Sequence, residues 1–370
     1  MTSVQFEIQL IAILVAVACA IPGVFLVLRK MAMMSDAISH SILPGLVIAF
    51  FLTGTLNSPL LIVGATATGL LTVLLVESIS KTRLLKEDAA IGLAFPVFFS
   101  IGVILIARFA GDIHLDVDSV LLGELAFAPF NRVSLFGRDL GPAAMWTMIV
   151  VVVINAAFVA VFYKELKIAS FDSGLAAALG FVPAGIHYGL MTLVSATAVA
   201  AFDAVGSILV VALIVGPPAT AYLLTNRLSV MIGLSILLGM LSAILGYWFA
   251  HWLDASIAGA MATMVGVVFV IVLFLAPGRG VAAVWRRRYR QKWTFAEKML
   301  AIHLHHHEGM VDEARENRTA HLQEHFSWDA RFAGSVVERA KDDGFVTEGG
   351  GLLNLTEAGR ALAREAIVQA

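Results

Sequence analysis

Two ionisable side chains stand four residues apart in an otherwise apolar stretch, Asp36 and His40 of MSDAISHSILPGL (34–46). On a helix, positions i and i+4 share one face about 6 Å apart, so a carboxylate and an imidazole can converge on one ion from a single element. One oxygen and one nitrogen donor suit Mn2+, Fe2+ or Zn2+ better than Ca2+, which takes more oxygens, or Cu+, which prefers sulfur. Pro44 and Gly45 follow in the same element and interrupt its hydrogen bonds, where a pathway-lining helix can bend. The competing reading is that Ser35 or Asp36 caps a helix at a membrane boundary while His40 bonds a neighbouring span. The capping box is incomplete, however, because Ile38 stands three residues after Ser35.

The elements that must hold this pair are membrane spans. Of 370 residues, 59% are hydrophobic and 14% charged, with a mean hydropathy of +0.88, far from a soluble composition. Cys19 is the one cysteine, which excludes an internal disulfide framework and any multi-cysteine metal site. Apolar runs long enough for a bilayer fall near 8–28, 37–56, 59–77, 89–108, 143–163, 186–201, 203–224, 229–253 and 257–276. The first lacks the basic lead of a secretory signal and is read as a retained span.

Basic residues orient the spans. Arg29/Lys30, Lys81/Arg83/Lys86, Lys164/Lys167, Arg227 and the cluster 286–292 all become cytoplasmic if the N-terminus is outside and the span count is odd. With a rise of 1.5 Å per residue, Asp36 then lies about 10 Å and His40 about 16 Å beyond the Arg29/Lys30 anchor. An ionisable residue at such depth costs several kcal/mol unless it has a partner or a polar pathway, so a functional role is the default reading.

Other polar residues carry weaker signals. The outside loop 109–142 opens with Asp112, His114, Asp116 and Asp118, which would draw a cation toward a metal entry, or simply keep the loop in water. Asp203 with Gly206 reads either as a pathway residue or as the outer turn between two spans. His187, His251 and Asp254 lie near span ends, where interfacial exposure explains them. Pro217–Pro218 is expected to break or kink its helix. Between Lys164 and Phe181 the chain reads as a cytoplasmic interruption, with Ser170 and Asp172 as N-cap candidates for a short alanine-rich helix that stops at Gly180.

LRKMAMMSDAISHSILPGLVIAF (28–50) resembles the signature of the Mn/Zn/Fe-type metal ABC transporter permeases, the ABC-3 family: a basic residue, Met, then an Asp-Ala-x-Ser-His-x-x-x-Pro-Gly block. SFDSGLAAALGF (170–181) and VGSILVVALIVGPPATAYLLT (205–225) are similar to further family stretches, in the same order, over about residues 8–278. The resemblance implies that Asp36 and His40 coordinate or gate metal on a translocation path formed by two permease subunits, identical or not, giving two carboxylates and two imidazoles. It implies that Ser170, Phe171, Asp172, Leu175, Ala178, Leu179 and Gly180 belong to a coupling helix docking on a cytoplasmic ABC ATPase dimer. An extracytoplasmic metal-binding protein would deliver the ion. No phosphate-binding G-x-x-x-x-G-K-[ST] loop is present, so the energy source is another polypeptide and the chain is not itself an enzyme. The expected place is the prokaryotic plasma membrane, multi-pass, with a cytoplasmic C-terminus.

Pro277-Gly278 ends the last span, and VWRRRYRQKW (284–293) forms a basic, aromatic juxtamembrane linker (279–293) suited to the inner leaflet. Residues 294–370 read as helices over 295–308, 315–326 and 329–342, a two-strand wing around glycines 349–351, and a helix over 357–367. That order, with LLNLTEAGRALA (352–363), resembles the winged helix-turn-helix domain of DtxR-type metal-dependent repressors. The charge argues against DNA as a partner: eight basic residues against thirteen acidic ones leave a net charge of −5 over 294–370, whereas phosphate neutralisation supplies most nucleic-acid affinity. In HLHHHEG (303–309), His303 and His307 share a helix face, with Glu308 or Asp312 as oxygen donors for a regulatory metal; exposed surface histidines are the alternative.

The expectation is therefore an all-α polytopic membrane protein of eight or nine spans (1–278) with a small C-terminal winged helix-turn-helix domain (294–370). Its expected function is that of the permease of an ATP-driven importer of Mn2+, Zn2+ or Fe2+. Two rivals remain open: a proton-coupled secondary metal transporter, and a membrane-tethered, metal-responsive DNA-binding regulator.

Overall fold

The computed structural model describes residues 2–55, 58–109, 124–135 and 138–369. The chain forms two compact units, residues 1–279 and 280–370. The first contains α1 (Ser3–Leu28), α2 (Ala32–Ser41), α3 (Leu43–Thr53), α4 (Pro59–Lys81), α5 (Glu87–Phe109), a hairpin of β1 (Arg132–Leu135) and β2 (Arg138–Pro142), α6 (Ala143–Val161), α7 (Tyr163–Phe171), α8 (Ser173–Ala178), α9 (Pro183–Val205), α10 (Ser207–Leu224), α11 (Leu228–Leu253) and α12 (Ile257–Leu275). Among the described residues, nine helical stretches are long and apolar enough to cross a bilayer, α2 and α3 together making one of them.

The core is organised around α1, 72% of whose span is buried, the largest share of the nine. Prolines in the spans explain much of how its neighbours pack. Pro22 has no N–H to give the Ala18 carbonyl one turn back, and the Nδ2 of Asn155 on α6 takes that place, donating at 3.0 Å to Ala18 O and at 2.9 Å to Thr197 Oγ1 on α9. Pro218 likewise frees the Ile214 carbonyl. Against that oxygen stands Gly23 of α1, where any β-carbon would overlap it, so the two backbones meet only because the side chain is missing. The Pro217–Pro218 pair therefore does not end its helix: α10 runs through it from Ser207 to Leu224, because tight packing, not the local ladder, holds the segment.

Pro44 leaves the His40 carbonyl without its helical donor, and the span divides at Ile42 into α2 and α3. Thr68 Oγ1 of α4 donates to the Ile42 carbonyl at 3.4 Å, a long bond at the break. Just before α2, the chain leaves α1 through bonds from Lys30 N to Val27 O and from Met31 N to Leu26 O, with Lys30 in the left-handed region at φ 62°. This is a Schellman turn with lysine where glycine is usual. At the other end of α1, Glu7 binds Arg132 of the β1–β2 hairpin at 3.0 Å, and Arg132 also holds Asp139 at 2.6 Å; this hairpin was not foreseen.

The second unit contains α13 (Val281–His307), α14 (Glu313–Glu316), α15 (Thr319–Phe326), α16 (Ala330–Asp342), β3 (Val346–Gly349), β4 (Leu352–Leu355) and α17 (Glu357–Gln369). The expected linker over 279–293 is instead the first half of α13, since nothing between Gly280 and Glu308 breaks a helix. The helix expected over 315–326 is divided at Asn317–Arg318. Strands β3 and β4 pair antiparallel from Val346↔Leu355 to Gly349↔Leu352, turning through Gly350 and Gly351 at φ 64° and 78°. Leu300, Leu304, Leu322, Val336 and Leu353 form its core. Glu297 accepts from Arg339 at 2.7 Å, which ties α13 to α16.

The proline account predicts that Asn155→Ala lowers stability by about 1–2 kcal/mol, read as a lower thermal midpoint in detergent. Adding Pro22→Ala, which restores an N–H for Ala18, recovers part of the loss; independent effects of the two changes would contradict the account.

Candidate functional site

Helix α2 shows one face to the outside of the protomer. Met34, Ser35, Ala37, Ile38, Ser39 and Ser41 are buried, whereas Met33 is exposed and Asp36 and His40 are half-exposed. The serines satisfy themselves inside the helix: Ser35 Oγ donates to Ala32 O at 2.8 Å, Ser39 Oγ to Ser35 O at 2.7 Å and Ser41 Oγ to Ile38 O at 3.1 Å. Asp36 and His40 remain as the helix's only titratable pair, with Asp36 Oδ1 3.5 Å from His40 Nε2 and side chains 40% and 36% exposed. The His40 ring rests against Phe95 and Phe99 of α5, at centroid distances of 5.9 and 6.3 Å. Neither Ser35 nor Asp36 caps the helix, which begins at Ala32 with no side-chain cap bond. One carboxylate and one imidazole are thus held together by helical spacing, flanked by aromatic rings, and open on one side.

Asp203 lies on α9 close to its end at Val205 and is exposed. Gly206, at φ 79°, joins α9 to α10. Among the described residues, no hydrogen bond or ion pair joins Asp203 to Asp36 or His40. Asp112, His114, Asp116 and Asp118 lie outside the described residues.

The interruption between spans contains two helices. Asp172 caps α8 by accepting from Leu175 N at 2.9 Å. Ala176 is buried, while the apolar Phe171, at the end of α7, and Leu175 and Leu179, on α8 and at its end, are exposed. Ala178 is the last residue of α8, and Gly180 follows at φ 84°. Ser170 is not a cap: it lies in α7, and its Oγ accepts from Arg29 Nε at 3.2 Å.

That contact opens onto a network which sequence reasoning missed. Arg29 Nη1 stands 3.2 Å from His187 Nδ1, and the other ring nitrogen of His187 contacts Glu77. Tyr188 Oη donates to Glu77 Oε2 at 2.7 Å, and Lys81 reaches the same oxygen at 3.2 Å. Burial pushes the Arg29 guanidinium below its ordinary pKa. The network joins α4, α7 and α9 to the residue at the end of α1 from which the chain turns into α2. His187 is thus an internal partner and not merely an interfacial residue. The one signal for Glu77 was an acid within an apolar span.

In the second unit, His303 and His307 of α13 do share a face, with ring centroids 4.8 Å apart. Burial holds the His303 imidazole below its ordinary pKa, which favours the neutral form. Asp312 Oδ2 lies 3.4 Å from His307 Nδ1. Glu308 is turned elsewhere, to Arg360 at 2.7 Å and His305 at 3.5 Å.

Comparison with known proteins places this geometry. Residues 2–276 match the model of a family described as the ABC 3 transport family. The chain is 47% identical over 358 residues to the zinc transport system membrane protein TroD of Treponema pallidum, covering 97% of each chain. It is 50% identical over 279 residues to the manganese transport system membrane protein MntD of Bacillus subtilis, covering 75% of this chain and 94% of that one. The solved structure of PsaBC from Streptococcus pneumoniae in complex with Fab superposes with a TM-score of 0.62 at 31% identity, covering 75% of this chain and 94% of that chain. The likeness to TroD leaves too few residues over to exclude the second unit.

The network predicts that Glu77→Ala costs about 1–3 kcal/mol, because it strands His187 and Tyr188. Lys81→Ala, at an exposed site, should leave the thermal midpoint in detergent unchanged. Equal effects would contradict the assignment.

Proposed function

The chain belongs to the ABC 3 transport family, and from that premise we propose that it is the permease of an importer of Mn2+, Zn2+ or Fe2+ whose ion passes between Asp36 and His40. The observation that carries this reading is the open face of α2. A carboxylate and an imidazole within a span do not face lipid without a cost of several kcal/mol, so the half-exposed face is taken to look onto a water-filled path and a second permease. Two such pairs supply two oxygens and two nitrogens. That is enough to replace an ion's water, yet few enough to release it.

The chain carries no covalent chemistry. ATP is hydrolysed by partner ATPases, for which the exposed Phe171, Leu175 and Leu179 offer an apolar docking surface. Movement of that surface reaches the pathway through Ser170 and Arg29, whose backbone leads directly into α2. An external binding protein delivers the metal, and the relatives' names, zinc for TroD and manganese for MntD, bound its chemistry. In this topology the basic start of α13 lies at the inner leaflet of a prokaryotic plasma membrane, which makes the second unit cytoplasmic. Its order of four helices (α13–α16, of which α14 is a single turn), hairpin and helix favours a winged-helix reading, and its net charge of −5 over 294–370 favours a regulatory or subunit contact over DNA.

In proteoliposomes containing the chain, its partner permease and the ATPase, His40→Ala should lower ATP-driven metal uptake at least about tenfold, with ATP hydrolysis retained. Uptake by the chain alone, without ATP and abolished by a protonophore, would instead establish the proton-coupled rival. Arg29→Ala should leave hydrolysis intact and reduce the ions moved per ATP. An unchanged ratio would remove Arg29 from the coupling route.

A further inference from the structure

The imidazoles of the second unit form a larger assembly than HLHHHEG alone suggests. Helix α15 brings His321 and His325 to the end of α13, and Glu316 of α14 stands among them. His303 and His325 have ring centroids 4.6 Å apart, and His303 and His321 6.4 Å apart. Glu316 Oε2 lies 2.5 Å from His321 Nε2 and 3.9 Å from His303 Nε2. Within each of two trios that share Glu316, His303–His307–Glu316 and Glu316–His321–His325, the donor atoms lie within 4.8 Å of one another. His303 is buried and Glu316, His307 and His321 are largely covered, so this is not a row of solvated surface histidines.

We propose that His303, His307, Glu316, His321 and His325 supply a regulatory binding site for one Zn2+-class divalent ion, four of the five donors bound at once, separate from the Asp36–His40 pair. A tetrahedral Zn2+ with bonds of about 2.0–2.1 Å keeps its donors about 3.4 Å apart, so within each trio side-chain movements of about 1–1.5 Å bring the donors to that spacing. Four imidazoles around one carboxylate favour Zn2+, Co2+ or Ni2+ over Mn2+, which is the weakest of the series at nitrogen-rich sites. The three contributing helices are joined by two turns, 308–312 and 317–318. A bound ion would therefore pin α14 and both turns to the end of α13. On the cytoplasmic side assigned above, such an ion reports metal already imported. The site stands on its own geometry and does not depend on the transport reading.

The test uses the full chain in detergent, carrying Asp36→Asn and His40→Ala so that the pathway pair contributes nothing. Anaerobic titration with Co2+ should produce the intense visible bands of tetrahedral coordination, saturating at one equivalent and bleached by Zn2+. His321→Gln with His325→Gln, on the more accessible helix, should weaken that binding at least about tenfold. His306→Gln, outside the donor set, should not. Trypsin should cut the exposed Arg315 and Arg318 more slowly with Zn2+ present, and that protection should vanish in the double glutamine variant. Bands that appear only when Asp36 and His40 are intact, or affinity and protection that survive His321→Gln/His325→Gln, would overturn the proposal.

Discussion

A carboxylate and an imidazole inside hydrocarbon are tolerable only if the helix face that bears them never meets lipid, and this constraint shapes the first unit. The hydroxyls of Ser35, Ser39 and Ser41 turn inward and are satisfied within α2, so the polarity left over is concentrated at Asp36 and His40. The open side of that face needs water or another subunit. On the proposed reading, that single energetic penalty is what calls for a pathway and for a second permease beside this face.

Backbone polarity obeys the same rule. A proline inside a span releases a carbonyl that hydrocarbon cannot satisfy, and the fold answers differently at Pro22, Pro218 and Pro44. Asn155 donates to Ala18 O below Pro22. The Ile214 carbonyl below Pro218 is covered by the bare backbone of Gly23. The break before Pro44 separates α2 from α3 and leaves the His40 carbonyl without its helical donor beside the candidate site. At Pro22 and Pro218 the freed carbonyl is thus covered by a neighbour, and at Pro44 it lies where an ion is proposed to pass.

Much of this was legible from local pattern. Hydropathy located the spans, because the bilayer imposes length and composition on each one independently. Asp172 was legible as a cap because a cap involves only its own next turn. What involves distant residues was not legible. Glu77 meets His187 and Tyr188 across more than a hundred positions. Glu316, His321 and His325 reach His303 only after α14 and α15 fold back, so spacing singled out His303 and His307, with Glu308 or Asp312, and could not reach the other three; of the two acids it offered, Asp312 lies beside His307 and Glu308 turns to Arg360. The basic run 284–293 has the composition of an interfacial linker and also of a helix, and the structure has it as the exposed first half of α13, whose buried residues begin only at Ala296.

The central claim, that the Asp36–His40 face looks onto a water-filled conduit, is tested most directly by thiol accessibility. Cys19 is the only cysteine and is buried, so His40→Cys on a Cys19→Ala background carries one reporter. In the assembled transporter, a charged methanethiosulfonate should modify that thiol, and Cd2+ should slow the modification. Labelling solely by an uncharged, lipid-soluble maleimide, indifferent to Cd2+, would show the face turned to the bilayer and contradict the account.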